Sequence, residues 1–395
     1  MSCNGISKAF VLIFLFNFSA IFCNLFDVYP SLSDQIPYIS LGNWPTQVKK
    51  LEVLSEQLNA TIYLKDEGDC GSLDENGFVS FGGNKVRKLE FLLADALAKG
   101  YTTVLTYGGF ASNHMVATAC YAKQLGLQTI GLLFKQNSPP NITRNLLLNL
   151  YFGAHIFECP LPRLLNEDEI ASFLNEHDFP PAYVIPVGGS NILGVLGIVN
   201  AVFELADQIS QGVLPEPDLI YVPFGSMGTT AGLLLGIKLA GLKSKVQAIK
   251  VTNTEKYNEQ NLFALIKDTN EFLYKLDETI PLCISSEIAQ WSARIFLLNL
   301  FDVSICEEYI GDGYAYATEA GEHAQTLFKD LEHITLDQTY TAKAAAALIH
   351  DCEVNKDTNR VILFWNTYCA YEYSDLTQKV DCALLPDSMQ EFIIL

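Results

Sequence analysis

The feature that most restricts this fold is an alternation of two hydrophobic periods between residues 85 and 157. Leu89, Leu92, Leu93 and Leu97 recur at helical spacing, and the helix Leu89–Lys99 stops at Gly100. Thr102–Tyr107 reads as a strand. A helix then runs from Ser112-Asn113 to about Leu125, where Gly126 stops it. Thr129–Phe134 is the next strand, Asn141–Phe152 a helix closed by Gly153, and His155–Phe157 a short strand. Strands alternating with such helices require βαβ units and a parallel sheet. Right-handed crossovers then bring the strand C-termini, and the loops after them, to one edge.

Before this block, Trp44-Pro45 reads as a turn or extended dipeptide, Val48–Leu58 as a helix, Thr61–Lys65 as a strand and Asp66–Asn76 as a loop. After it, residues 160–185 carry prolines and charges and read as a connection. A long helix follows from about Leu193 to Gln211. A second alternating block then runs through a strand (Asp218–Pro223), a helix (Thr229–Leu239) and a strand (Val246–Val251). Helices near Ala317–Leu331 and Thr341–Asp351 precede a last strand, Arg360–Trp365. With 395 residues the chain is long enough for two or three domains, and 49% hydrophobic against 18% charged residues supports a large core.

The formal charge is −20, from 25 basic and 45 acidic residues, which argues against nucleic acid and against an anionic membrane surface as partners. An anionic ligand therefore needs a local site of backbone N–H groups and a few lysines. The ten cysteines are scattered with no C-x-x-C, so no metal site is expected and most read as small buried hydrophobes. Residues 1–23 differ from the rest: one cation and no acid in Met1–Lys8, then the apolar run Ala9–Cys23. This is the build of a secretory signal cut after Cys23, which places the protein in the secretory pathway, outside the cell or in a periplasm. The alternative is an uncleaved N-terminal membrane anchor, although fifteen residues are short for a span.

Three stretches carry chemistry. In Phe81-Gly82-Gly83-Asn84-Lys85-Val86-Arg87-Lys88-Leu89-Glu90 a lysine stands at a helix start beside a second cation, Lys88. The helix dipole and the neighbouring charge both lower an ammonium pKa, as a Schiff-base lysine requires. Taken alone, the stretch reads first as a solvated helix start with three surface cations, since exposed lysine is the rule. Phe224-Gly225-Ser226-Met227-Gly228-Thr229-Thr230-Ala231-Gly232 follows an apolar strand and opens a helix, so its N–H groups and hydroxyls suit a phosphate, or form only a tight turn. Gly108-Gly109-Phe110-Ala111-Ser112-Asn113-His114 lies between a strand and a helix and either caps that helix or binds a carboxylate. An amine, a phosphate cup and a carboxylate loop together are what pyridoxal phosphate and an amino acid need.

The chain resembles the D-cysteine desulfhydrase and 1-aminocyclopropane-1-carboxylate deaminase group of fold-type-II pyridoxal-phosphate enzymes, relatives of the tryptophan synthase β chain. The likeness runs from about residue 36 to 365. It rests on Gly82–Glu90, Gly108–His114, Pro186-Val187-Gly188-Gly189-Ser190, Gly225–Gly232 and Gly313-Tyr314. It implies an α/β fold of two three-layer αβα domains with mostly parallel sheets, a small domain (82–195) inserted in a larger one (24–81 and 196–395), and the cofactor between them. It also implies that Lys85 is the Schiff-base lysine. Asn84 and Asn113 would lie by the cofactor ring. Lys88 and the cup Gly225, Ser226, Met227, Gly228 and Thr229 would hold the phosphate. Ser112, Asn113 and His114 would bind the substrate carboxylate, and Tyr314 would lie near the substrate. The expected catalytic set is Lys85, Ser112 and Tyr314, in a homodimer acting on a small amino acid. D-cysteine, giving pyruvate, ammonia and sulfide, is the first reading. The cyclopropane amino acid is the alternative, and a cofactor-binding homologue without turnover is the third.

After the last strand, relatives carry a short His-Thr-Gly-Gly or His-Leu-Gly-Gly turn. Here it reads Asn366-Thr367-Tyr368-Cys369. Thr367 matches the threonine form typical of desulfhydrases and offers a neutral hydroxyl to the pyridine nitrogen. Tyr368 and Cys369 replace two glycines beside the ring, which narrows the pocket, shifts the substrate or removes turnover. Met115 and the Tyr316-Ala317 pair also depart from the family pattern.

Overall fold

The computed structural model describes residues 23–71, 80–137, 139–161, 163–284, 300–355 and 359–393. The expected signal segment lies outside these residues apart from Cys23. Two sheets organise the chain. Six strands, β1 (Gln47–Lys50), β2 (Thr61–Asp66), β7 (Leu219–Phe224), β8 (Lys245–Lys250), β9 (Val303–Cys306) and β10 (Val361–Asn366), pair in the order β1-β2-β10-β7-β8-β9. Only the β1–β2 pair is antiparallel. The other four, β3 (Thr103–Gly109), β4 (Gln128–Phe134), β5 (His155–Glu158) and β6 (Tyr183–Ile185), form a parallel sheet in the order β5-β4-β3-β6.

Both sheets are covered on both faces, as parallel strands made of continuous apolar runs require. On one face of the larger sheet, Ile220, Val222, Leu363 and Trp365 pack with the helices Ile192–Ser210 and Gly228–Leu239. On the other, Ile62, Leu64, Tyr221 and Phe364 meet the alanine-rich helix Thr341–Val354. In the smaller sheet, Val104 and Leu133 face the helices Lys85–Ala98 and Asn113–Gln124, while Leu105, Tyr107, Ile130 and Leu132 face Glu167–Glu176. The helix Ile192–Ser210 is long and apolar enough to cross a membrane, yet 72% of its apolar window is buried inside the fold, so it is a core helix.

After β10 in the larger sheet, residues 373–392 run into the core of the smaller one. Tyr373, Leu385 and Met389 are buried there with Phe110 and Leu146, and Phe392 packs edge-on against Phe110.

Several elements differ from the sequence reading. Residues 160–185 are more than a connection: they hold the helix Glu167–Glu176, capped reciprocally by Asn166 and Glu169, and the edge strand β6. The stretch Val48–Leu58 splits into β1 and the helix Glu52–Leu58. Its first residues extend to pair with β2, which overrides their helical propensity. The helix Glu259–Leu276 and the strand β9 had no counterpart in that reading. No disulfide joins the nine described cysteines. Among the described residues, no three His, Cys, Asp or Glu side chains gather as a metal ion would need.

Candidate functional site

The helix Lys85–Ala98 starts four residues earlier than its leucine periodicity shows, because a glycine turn aims its first residue at a cleft. Gly83 takes φ +93° and donates its N–H to the Glu67 carbonyl at 2.8 Å. A Cβ at that position would lie 3.0 Å from the Thr367 carbonyl oxygen. Only glycine combines that conformation with so close an approach. The next N–H, of Asn84, reaches the same Thr367 carbonyl at 3.4 Å.

Three cations follow within one turn, and they go to different places. Arg87 points into the protein, where its guanidinium meets Glu67 (Nε to Oε2, 2.5 Å) and Glu204 (Nη2 to Oε1, 2.8 Å), with Lys65 completing the cluster on Glu204 at 2.5 Å. Lys85 points into a cavity of about 400 Å³. Its Nζ donates to Asn84 Oδ1 at 2.9 Å, and the Asn84 amide donates to Thr229 Oγ1 at 2.8 Å. One asparagine therefore ties the amine to the glycine turn some 140 residues away in sequence. Burial pushes the Lys85 pKa down to about 8, against the opposing pull of Asp337. The direction is the expected one, but its cause is burial and not the neighbouring Lys88. Lys88 is buried, and among the described residues its Nζ finds only the Gly188 carbonyl at 3.0 Å and Ser190 Oγ at 3.3 Å. Burial, and then the charge of Lys85, hold its pKa well below the usual value.

A phosphate fits beside Lys88. The helix Gly228–Leu239 begins there after Met227, which adopts a left-handed φ of +71° rare for a side-chain-bearing residue. A Cβ added at Gly228 would meet Ser190 Oγ at 2.5 Å and Lys88 Nζ at 2.7 Å, so the ammonium sits against the helix N-terminus. Thr230 Oγ1 is buried there without a partner. Among the described residues, Lys88 has no carboxylate partner and the Thr230 hydroxyl none at all, and with the first-turn amides of the helix they make a set of donors suited to an anion.

Across the cavity Ser112 caps the helix Asn113–Gln124, its Oγ accepting from Met115 N at 3.2 Å. Among the described residues its hydroxyl hydrogen has no acceptor. Asn113 Oδ1 accepts from Asn145 Nδ2 at 2.8 Å and from Asn141 Nδ2 at 3.4 Å, which leaves its own NH2 for the cavity it lines. His114 is buried. Thr106 gives its hydroxyl hydrogen to the Ile185 carbonyl, so the 3.0 Å contact between Thr106 Oγ1 and His114 Nε2 is donated by the histidine. Burial first, then Lys85 and Lys88, keep the ring neutral, and its Nδ1 has no partner.

The remaining wall comes from the larger sheet's loops. Tyr314 shares a 2.7 Å hydrogen bond with Tyr340, hydroxyl to hydroxyl. Burial raises the Tyr314 pKa to about 12, and burial first, then the neighbouring Tyr314, holds that of Tyr340 well above its usual value. Asp337 caps the turn before the helix Thr341–Val354, accepting from Tyr340 N at 2.9 Å and Thr341 N at 3.0 Å. Thr367, Tyr368 and Cys369 line the cavity too. Of the sequence candidates, Lys85, Asn84, Ser112, Asn113, His114, Gly225, Ser226, Met227, Thr229, Tyr314 and Thr367 line this one cavity. Lys88 and Gly228 stand in mutual contact just behind its wall. Sequence reasoning missed Asp337 and Tyr340, which lie in a loop with no glycine signature, and Gln136, whose Oε1 is buried without a partner against Gly109.

The pyridoxal-phosphate-dependent enzyme family matches residues 39–366, most of the chain. The chain is a member of that family. The Lys85 amine, the glycine turn at 225–229 and the Ser112–His114 loop all face one cavity, an arrangement that fits this family's cofactor. D-cysteine desulfhydrases from Klebsiella pneumoniae and Salmonella choleraesuis are each 34% identical to it, over 80% of this chain and 88% of theirs. Among solved structures, an ACC deaminase homologue superposes with a TM-score of 0.70 at 28% identity, covering 91% of this chain and 99% of its own. A fungal L-serine ammonia-lyase from Rhizomucor miehei, at 17% identity and a TM-score of 0.53, shares the fold.

Proposed function

We propose that this enzyme eliminates the β-substituent of a small amino acid, D-cysteine first, to give pyruvate, ammonia and sulfide. The observation that carries the reading is the chain of contacts Lys85–Asn84–Thr229, which brings the amine and the anion cup to one cavity opposite Ser112 and Asn113. Relatives named for D-cysteine support the substrate.

Pyridoxal phosphate, bound through Lys85, supplies the electron sink for a carbanion at the substrate α-carbon. The protein does the rest. Lys88 and the first turn of the helix Gly228–Leu239 hold the phosphate. Ser112, Asn113 and the start of the helix Asn113–Gln124 hold the substrate carboxylate, which fixes the orientation of the α-proton. With a pKa near 8, the Lys85 amine is free often enough at neutral pH to take that proton. Thr367 offers the ring a neutral hydroxyl, and the Tyr314–Tyr340 pair holds a proton at the substrate's far side.

The test is an absorbance scan of the purified protein with pyridoxal phosphate, followed by keto-acid and sulfide assays over D- and L-amino acids. A cofactor band with pyruvate and sulfide from D-cysteine is the expected result, and absence of the band in the parent overturns the reading. A second substrate, 1-aminocyclopropane-1-carboxylate, has the support of the matched ACC deaminase homologue and would give a four-carbon keto acid. A cofactor band with no keto acid from any amino acid would mark a binding protein without turnover, the outcome Tyr368 and Cys369 favour.

We also propose a homodimer, checked by light scattering. The apolar run 9–23 further supports a secretory-pathway address. Mass analysis of the protein from cells checks it, a mature chain starting at Asn24 being the expected outcome.

A further inference from the structure

The loop that carries Tyr314 hangs between the strand β9 and the helix Glu319–Glu332, with no ladder of its own. Part of it takes a conformation that side chains avoid. Ala315 is buried with φ +67°, beside Gly313 at φ +130°. A left-handed alanine has no polar side chain to offset its strain, so it persists only where its surroundings hold it. Among the described residues, three hydrogen bonds reach residues 310–316 from another element, and all three come from the start of the helix Thr341–Val354. Tyr340, the residue at its N-cap, meets the Tyr314 hydroxyl at 2.7 Å. Lys343 Nζ donates to the Ile310 carbonyl at 2.7 Å and to the Gly313 carbonyl at 2.9 Å.

The helix gives no packing reason for a lysine at 343. The side chain is completely enclosed, and its neighbours Ala342 and Ala344 to Ala347 are all buried in the core beneath the larger sheet. Among the described residues no carboxylate stands within ion-pair distance of it. Burial brings its pKa down to about 8, against the pull of Asp337, so the amine is still mostly charged at neutral pH. A buried ammonium is costly unless its hydrogens find acceptors. Two of them go to the carbonyls at the two ends of the turn that immediately precedes Tyr314. The same helix start therefore grips the loop twice, by its tyrosine side chain and by its backbone.

We propose that Lys343 is a positioning residue, which clamps the backbone of the turn 310–313 and so delivers the Tyr314 hydroxyl to the substrate side of the cavity. The proposal deepens the reading that the Tyr314–Tyr340 pair stands at the substrate's far side, and rests on it. Lys343 itself does not line the cavity, so it acts on a ligand only through Tyr314.

The experiment uses the full chain freed of cofactor and two non-reacting probes, with affinities read by calorimetry. N-(phosphopyridoxyl)-D-serine carries an amino-acid part, and pyridoxamine 5′-phosphate lacks one. The ratio of the two affinities isolates the grip on the substrate. Tyr314→Phe should lower that ratio about three- to tenfold, as loss of one hydrogen bond gives. Lys343→Met keeps the stem and removes the donors. It should lower the ratio by a similar factor and speed amide hydrogen exchange in residues 310–316. Lys343→Gln is one bond shorter and reaches one carbonyl at best, so it should lower the ratio about twofold; it serves as the second variant if Lys343→Met does not fold. In a Tyr314→Phe background, either change should move the ratio by less than about twofold, because the group being positioned is gone. A structural role alone would weaken both probes equally. An unchanged ratio, equal loss for both probes, or a full drop that persists without the Tyr314 hydroxyl overturns the proposal. A ratio untouched by Tyr314→Phe overturns the reading of Tyr314 itself, and the proposal with it.

Discussion

Arg87 and Lys85 stand two residues apart on one helix turn, and the protein treats their charges in opposite ways. Arg87 is buried between Glu67 and Glu204, with Lys65 on the far side, so two cations and two carboxylates cancel. Burial alone would cost Glu204 its charge, yet Arg87 and Lys65 outweigh that and hold its carboxyl well below the usual range. Lys85 and Lys88 have no carboxylate within ion-pair distance among the described residues, and both are pushed toward the neutral form. A compensated charge fixes the architecture. An uncompensated one keeps its reactivity, or its appetite for an anion, available to a ligand.

Four measurements would break or sharpen that contrast. Lys85→Ala should remove the lysine-bound cofactor band and take turnover below detection without lowering the melting temperature, since no ion pair is lost. Survival of the band would end the assignment. Glu204→Ala should do the reverse: it leaves Arg87 and Lys65 facing a single carboxylate and should cost about 3–5 kcal/mol in chemical denaturation. An intact stability would mean the cluster is not the structural anchor described here. Lys88→Met keeps the buried stem and removes an unpaired charge, so stability should hold or rise. Affinity for pyridoxal phosphate should fall about ten- to a hundredfold, while affinity for phosphate-free pyridoxal stays level. Equal losses for both would place Lys88 away from the phosphate. The smallest effect is in pH. The neutral amine is the reactive form, so the rate of cofactor capture should rise with pH and reach half its limit near 8, against 10.5 for an ordinary lysine. Asp337→Asn, removing the charge that pulls this pKa upward, should move the midpoint lower.

The same contrast explains what was legible in the chain. Strands such as Thr129–Phe134 and helices closed by Gly126 or Gly153 declare themselves through periodicity and stop signals, and the structure reproduces them within a residue or two. Elements held by tertiary contact were harder to read. The strand β6 has three residues and takes its place from pairing with β3, and the helix Glu167–Glu176 sits among charges that read as a connection. In the site, Lys85, the glycine turn at 225–228 and Ser112-Asn113 follow local rules for helix starts. Asp337 and Tyr340 take their places in the cavity only through segments distant in sequence: Tyr340 shares its hydroxyl hydrogen bond with Tyr314, 26 residues away. A periodicity argument has no access to such pairs.

The course of the chain after β10 has a consequence for how the protein is made. The smaller sheet is encoded early, yet its core is finished by Tyr373, Leu385 and Met389, and Phe392 closes over Phe110. A nascent chain emerging from the ribosome can assemble β3 to β6 long before those side chains exist, so that layer must wait, incompletely covered, until residues 373–392 have been added. Newly synthesised polypeptide is thus most exposed to chaperones and proteases at the half of the molecule that carries the Ser112–His114 wall of the cavity.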